Sequence, residues 1–143
     1  MKRKTAITEF GTTLILVLAI LIFALFNFTT VVVSGPSMEP TFQNKQRLLA
    51  CRAYWLVGPI KKKDIVVIKG EKKGDYFIKR VYAMAGDVVD WANIPDDWSL
   101  RQDEYRIEPG KIYVLGDNRE VSEDSRTWGA LPLDRRIGKI VKR

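Results

Sequence analysis

The chain has 143 residues, which is enough for one small domain and a membrane anchor. Apolar residues make up 46% of it, which excludes a disordered chain. The net charge of +7 fits an anionic lipid surface rather than nucleic acid, because the chain has no dense basic helix and no aromatic-basic repeat. One cysteine and no histidine exclude an intrachain disulfide, cysteine-based or histidine-ligated metal sites, and Ser-His-Asp or Cys-His catalysis.

The first apolar stretch predicts a single transmembrane helix. Residues 10–33 carry no charge, and the 20 residues of 14–33 are almost all apolar. A helix of that length spans about 30 Å, the thickness of the hydrocarbon core of a bilayer. A cleaved signal peptide also begins with positive charge, but its apolar core has only about 7–15 residues.

This pattern divides the chain into three parts. We expect a cytoplasmic tail at residues 1–9, a transmembrane anchor at 10–30 and one extracytoplasmic domain at 31–143. The tail begins with the basic residues Lys2, Arg3 and Lys4, which should keep the N-terminus in the cytoplasm of a plasma-membrane protein.

A turn shaped by glycine and proline follows the apolar stretch and carries Ser37. The segment 34–41 is SGPSMEPT, and we expect it close to the outer lipid surface. A serine hydroxyl is a weak nucleophile without a base, and this chain offers only a lysine, a carboxylate or a chain amine for that role. The alternative is an ordinary solvated turn serine.

The rest of the chain has the pattern of a mainly β domain. Short runs of apolar and β-branched residues alternate with turn signals, which predicts a compact, mostly antiparallel sheet or barrel. A hairpin loop is expected at 70–74 and an irregular acidic stretch at 92–104. The predicted strands are Thr29–Val33, Arg47–Tyr54, Asp64–Lys69, Asp75–Met84, Val88–Trp91, Tyr105–Ile107, Lys111–Leu115 and Ile137–Val141.

Lys79 is the candidate base. It lies in the run YFIKRVY at 76–82, where most neighbours are apolar or aromatic. A free lysine has a pKa of about 10.4 and is almost entirely charged at neutral pH, but burial lowers that pKa by up to several units. A buried Lys79 would therefore take the proton of Ser37 near neutral pH. The alternative is a lysine that points to solvent from a half-exposed strand.

A polar loop supplies the third candidate segment. Residues 116–126 are GDNREVSEDSR. One hypothesis is that the Ser122 hydroxyl orients the lysine amine and that Asp124 pairs with Arg80 or Arg126 and fixes the loop. The alternative is a polar loop with Asx-type turn bonds and no catalytic role.

Taken together, these segments resemble a known family. SGPSMEPT, DYFIKRVYAMAGD and VLGDNREVSEDSR resemble three ordered motifs of the type I signal peptidases, and DIVVIK resembles a further, structural motif. The motifs occur in family order behind an N-terminal anchor, and the resemblance covers nearly all of residues 8–143. It implies a mainly β domain with a coiled main sheet, and it favours Lys79 as a buried base.

The resemblance also implies an activity. Members of the family are membrane-anchored serine endopeptidases on the outer face of the plasma membrane, and they remove signal peptides from exported preproteins by cutting after small residues in an Ala-x-Ala pattern. The implied partners are preproteins and the lipid bilayer, and the chemistry needs no metal or cofactor.

Individual positions can be matched to the family's motifs. Ser37 matches the nucleophile, Lys79 the general base and Ser122 the hydroxyl that positions the lysine. The supporting matches are the ion pair of Asp124 and Arg126 with Arg80 beside it, and Met38 and Ile78 near the small pocket for the residue before the scissile bond.

Two departures and two alternatives accompany the resemblance. Some members have an oxyanion-donating serine two residues before the nucleophile, where this chain has Gly35, and the run AMAGD at 83–87 lacks the first glycine and the proline of the family pattern. The short spacing between the lysine and GDN motifs matches the compact Gram-positive type. The alternatives are a specialised Ser/Lys processing peptidase, such as a conjugation-pilus enzyme, and a catalytically silent membrane-anchored relative.

Overall fold

The computed structural model describes residues 2–70, 72, 74–98 and 104–142, without the side chains of residues 2–8 and 142. Parts of the predicted hairpin loop and of the predicted irregular stretch, and the basic side chains of the predicted tail, therefore lie outside the described residues. In chain order the elements are α1 (Lys2–Asn27), β1 (Phe28–Val32), β2 (Arg47–Cys51), α2 (Tyr54–Val57), β3 (Ile65–Lys69), β4 (Tyr76–Met84), β5 (Lys111–Leu115), α3 (Ser125–Trp128), β6 (Leu131–Pro132), a 3-10 turn (Leu133–Arg135) and β7 (Arg136–Lys142).

Helix α1 carries apolar side chains on every side along residues 14–26. Its segment Glu9–Asn27 has a mean hydropathy of 2.4 and buries no residue against the domain, and within the described residues it is the one helix long and apolar enough to cross a bilayer. The helix ends at Asn27, short of residue 30, because the β-branched residues that follow pair with β2. The Asn27 carbonyl accepts a hydrogen bond from the Arg52 N–H at 2.8 Å, which ties the helix end to the domain.

Within the described residues, seven strands form one antiparallel sheet in the order β1-β2-β7-β3-β4-β5-β6. The predictions of a mainly β chain and of a compact antiparallel domain behind an apolar helix are confirmed. Strand β4 has neighbours on both sides, and the register places Lys79 opposite Val66 of β3. Lys79 is therefore held in the interior of the sheet rather than at a free edge.

Alternation along the strands sends apolar side chains to both faces of the sheet. One face packs against the loop that follows β1, where Met38 and Phe42 are buried. Burying a side chain of this size contributes about 1.5–3 kcal/mol, so these two residues hold the turn that carries Ser37 against the sheet. The opposite face has a second cluster, which consists of Val66, Ile68, Val81, Ile112, Val114 and Leu131.

Three strand predictions differ from the structure. The strand predicted at Arg47–Tyr54 ends at Cys51, and the chain turns into α2, which ends at Val57 and is followed by Gly58 with a φ of +78°. The predicted strands Val88–Trp91 and Tyr105–Ile107 are reduced to one bridge between Val88 and Arg106, because turns begin soon after it on each side. Short apolar runs do not specify how many residues find a partner strand.

Candidate active site

Ser37 lies on a tight turn in the loop between β1 and β2. The turn is closed by hydrogen bonds from the Glu39 N–H to the Pro36 carbonyl at 3.0 Å and from the Phe42 N–H to the Met38 carbonyl at 2.9 Å. Met38 is only 1% exposed, whereas Ser37 beside it remains partly accessible. Burial of its neighbours thus positions the serine at the surface of the core.

The polar loop after β5 is joined directly to this turn. The Asn118 N–H donates to the Ser37 carbonyl at 3.0 Å. Gly116 lies so close that a Cβ there would stand 2.6 Å from the Ser37 carbonyl oxygen and nearer still to the Ser122 hydroxyl. Only glycine lets the two loops approach to this distance. This role was not predicted from the sequence, although a glycine beside a strand can mark a close approach of two backbones.

Lys79 is buried beside Ser37. Its side chain is 3% exposed, and both residues line one small cavity of about 40 Å³. Burial lowers the pKa of the Lys79 amine, opposed by the carboxylates of Asp124 and Glu123. The solvent-facing alternative for Lys79 is therefore wrong, and the pKa shift is in the direction that a base working near neutral pH requires.

Ser122 is the hydrogen-bond partner of this amine. Lys79 Nζ donates to Ser122 Oγ at 2.9 Å. The Ser122 hydroxyl in turn forms a hydrogen bond with the buried carboxylate of Asp124. Hydrogen bonds therefore connect the Lys79 amine to this carboxylate through Ser122. This arrangement fixes the direction of a long, flexible side chain.

Asp124 is fully buried and is the centre of the loop's hydrogen bonds. Its carboxylate accepts from the Gly116 N–H at 3.0 Å, and from Nε and Nη2 of Arg126 at 3.0 and 3.1 Å. It also caps α3 by accepting from the Arg126 N–H. Burial raises the pKa of Asp124, but the hydrogen bonds from Arg126, Gly116 and Ser122 outweigh it and hold the pKa below the usual range.

Arg80 pairs with Asp117 and not with Asp124, which was one of the two pairings considered from the sequence. Of the two partners considered for Asp124, only Arg126 pairs with it, whereas Arg80 forms a bidentate pair with Asp117 at 2.7 and 2.6 Å. Neighbouring residues of a strand point to opposite faces of the sheet, so Arg80 faces away when Lys79 faces Asp124. The role of Asp117 was missed because the sequence shows only an acidic turn residue.

The remaining predicted residues lie around the same small cavity. Met38 and Ile78 line it together with Ser37 and Lys79, and residues 32–34 also contribute to its lining. Gly35 has a φ of +82° and donates its N–H to Asn44 Oδ1 at 3.1 Å. Within the described residues the Ser37 N–H has no acceptor, so it is available to a ligand.

Among the described residues, no group of three or more carboxylate or cysteine side chains is arranged to hold a metal ion. The arrangement brings together a serine hydroxyl, a desolvated amine, an orienting hydroxyl and a backbone donor. These groups can carry out nucleophilic attack on a carbonyl with proton transfer to the amine.

Comparisons with known proteins indicate one family. A family model described as signal peptidase, peptidase S26, matches residues 6–95 and 92–143. The chain is 32% identical over 144 residues to signal peptidase I of Bacillus caldolyticus, covering 81% of this chain and 79% of that protein. It is 31% identical over 164 residues to signal peptidase I of Bacillus licheniformis, covering 94% and 86%.

A solved structure is also similar. The crystal structure of a signal peptidase I from Enterococcus faecalis V583 matches with a TM-score of 0.46 and 19% identity, covering 58% of this chain and 97% of that one.

Proposed function

The chain belongs to the signal peptidase family, peptidase S26, whose activity is the removal of signal peptides, and from this premise we propose that Ser37 and Lys79 form its catalytic dyad. The observation that carries the proposal is the burial of Lys79, with its lowered pKa, in the cavity that Ser37 lines. The chain is accordingly a serine endopeptidase.

The proposed reaction has two stages. Ser37 Oγ attacks the carbonyl carbon of the scissile bond while Lys79 Nζ takes its proton, and the Ser37 N–H stabilises the developing oxyanion. Lys79 then gives its proton to the leaving amine, which leaves an ester on Ser37. Water, deprotonated by Lys79, hydrolyses this ester and restores the enzyme.

The hydrogen-bond geometry fits this cycle. Lys79 Nζ donates a hydrogen bond to Ser122 Oγ. This bond holds the amine in place next to the cavity that Ser37 lines when no substrate is bound. In enzymes without bound substrate, the bond between nucleophile and base is often long and shortens when substrate excludes water. Ser122 is therefore a positioning residue. Its own position is fixed by a hydrogen bond to Asp124, which is paired with Arg126.

The size of the cavity supports a preference for small side chains. The cavity is small, about 40 Å³, so it suits a short side chain better than a large one. Met38 and Ile78 give it an apolar wall. An extended precursor segment that lies between residues 32–34 and β4 would place alanine there, in agreement with cleavage after Ala-x-Ala.

The N-terminal helix supports a single-pass anchor with the domain outside the membrane. Anchoring enzyme and precursor in one bilayer raises their effective concentration. The rings of Phe23 in the helix and Trp55 in α2 lie 5.8 Å apart, and Trp55 is exposed, which suits an aromatic side chain at the level of the lipid headgroups.

The test is the site of cleavage. The full chain in detergent is incubated with a precursor that carries Ala-x-Ala, and the products are mapped by mass. We expect one cut after the second alanine, loss of the cut when that alanine becomes leucine, and no cut by Ser37→Ala. Cleavage at other positions, or by the Ser37→Ala protein, would refute the proposal.

A further inference from the structure

The Tyr76 hydroxyl forms two hydrogen bonds with the main chain of Val32. It accepts from the Val32 N–H at 3.1 Å and donates to the Val32 carbonyl at 3.1 Å. Tyr76 is the first residue of β4 and Val32 is the last residue of β1, so these bonds join two strands that are not neighbours in the sheet. We refer to this pair of bonds as the Tyr76 latch. The proposed reaction gives the latch no role.

The latch uses the free edge of β1. Within the described residues β1 is an end strand of the sheet, with β2 as its neighbour on one side. The Val33 N–H donates to the Gln46 carbonyl at 2.9 Å, and the Val33 carbonyl accepts from the Lys45 N–H at 2.8 Å. Because successive residues of a strand direct their main-chain groups to opposite sides, those of Val32 point away from β2. They are the groups with which an added strand would pair.

The latch crosses the space that the precursor needs. Val32 and Tyr76 both line the small cavity, together with Ser37 and Lys79. The precursor segment is proposed to lie extended between residues 32–34 and β4, and the Tyr76 side chain spans the distance between these two segments. The main chain of the precursor and the Tyr76 hydroxyl therefore compete for the same donor and the same acceptor of Val32.

The latch can open without unfolding the strand that carries it. Tyr76 is 37% exposed, so its ring is not fixed in the core and can turn about its side-chain bonds while its backbone stays paired with Lys69 of β3. The bond that the hydroxyl donates, at 3.1 Å, is longer than is usual between two oxygen atoms. An extended peptide offers Val32 a donor and an acceptor in return for those of the hydroxyl.

We propose that in the free enzyme the Tyr76 hydroxyl occupies the main-chain groups of Val32 to which a precursor binds, and that a precursor binds only by displacing it. Tyr76 thereby weakens the binding of a precursor without touching the reacting atoms. It also covers an edge with which other extended chains would otherwise pair. The inference rests on the proposed function and adds to it a residue that controls access to the site.

The experiment removes only the hydroxyl. KM and kcat for one Ala-x-Ala precursor are measured with the full chain in detergent, for the wild type and for Tyr76→Phe. We expect KM to fall by about threefold to tenfold, the net value of about one hydrogen bond. The value of kcat should change little, because the latch is already open in the enzyme–substrate complex. A lower KM does not result from a damaged fold.

Two controls separate access from chemistry. Tyr54→Phe removes a buried hydroxyl that has no hydrogen-bond partner among the described residues, and it should keep the wild-type KM. A small serine-directed acylating probe reaches Ser37 without an extended main chain, so it should acylate Tyr76→Phe at the wild-type rate.

Three results would overturn the inference while the proposed function stands. They are an unchanged or higher KM in Tyr76→Phe, an equal fall of KM in Tyr54→Phe, and a change in the rate of the probe as large as the change in KM. Cleavage of the precursor by neither the wild type nor Tyr76→Phe would remove the proposed function and the inference with it.

Discussion

Replacing Lys79 with methionine is expected to lower kcat/KM for precursor cleavage by at least about 10³-fold, within the range that a general base contributes. Methionine has a similar length and no amine, so the small cavity keeps its shape while Ser37 loses its base. The measurement is precursor cleavage by the wild type and by Lys79→Met at one pH. Lys61→Met, the same change at an exposed position, is the control and should retain full activity.

The same substitution should also stabilise the fold. Because the folded pKa of Lys79 lies below 10.5, the unfolded chain binds the additional proton between the two pKa values, and the wild type gains stability as the pH rises through that window. Below the window, Lys79→Met should therefore raise the free energy of unfolding, because the folded wild type has to keep a charged amine out of water and methionine does not. Retention of more than about a tenth of the activity, or a large loss of stability, would contradict a buried, neutral base.

Asp124→Ala is expected to destabilise the protein by about 3–5 kcal/mol, which is the range for breaking a buried ion pair by removing one partner. Asp124 is fully buried, and its removal leaves Arg126, the Gly116 N–H and the start of α3 without their acceptor. Denaturant unfolding at neutral pH measures the effect. Asp97→Ala, which removes an exposed carboxylate, should change stability by no more than about 0.5 kcal/mol.

The difference in unfolding free energy between the wild type and Asp124→Ala should depend on pH in one direction. The folded pKa of Asp124 is depressed, so its contribution is present above the unfolded pKa of about 3.9 and is lost as the pH falls through the folded value. The gap between wild type and Asp124→Ala should therefore narrow in acid. A gap that stays below about 1 kcal/mol at neutral pH would show that Asp124 does not organise the loop.

The sequence predicts the strands that have strong alternation or a buried apolar run. Strand β3 and strand β5 lie within a residue of their predicted bounds, since both are short apolar runs between clear turn signals. The segment at 88–91 failed because pairing depends on a partner about 18 residues away, and a local pattern does not show where that partner turns. The short helix α2 was not predicted because its four residues are too few to show a helical period.

The site was only partly predictable from the residues. The absence of histidine directed attention to lysine, but a strand pattern alone does not tell a buried lysine from an exposed one, so Lys79 depended on the resemblance to a family. The bidentate pair of Arg80 with Asp117, and the close approach at Gly116, arise from contacts between segments that are distant in the chain. Such contacts leave no periodic signal in the sequence.

The pH dependence of Ser37 acylation tests whether a buried, neutral Lys79 is the base for Ser37. A serine-directed acylating probe is added to the full chain in detergent, the adduct is mapped by mass, and its rate of formation is followed from acid to alkaline pH. We expect an adduct on Ser37 whose rate of formation rises through a pKa below 10.5 and then levels off, and a slow reaction without this rise in Lys79→Met. An adduct on another residue, equal rates in the two proteins, or a rise only near pH 10.5 would contradict a dyad of Ser37 and a buried, neutral Lys79.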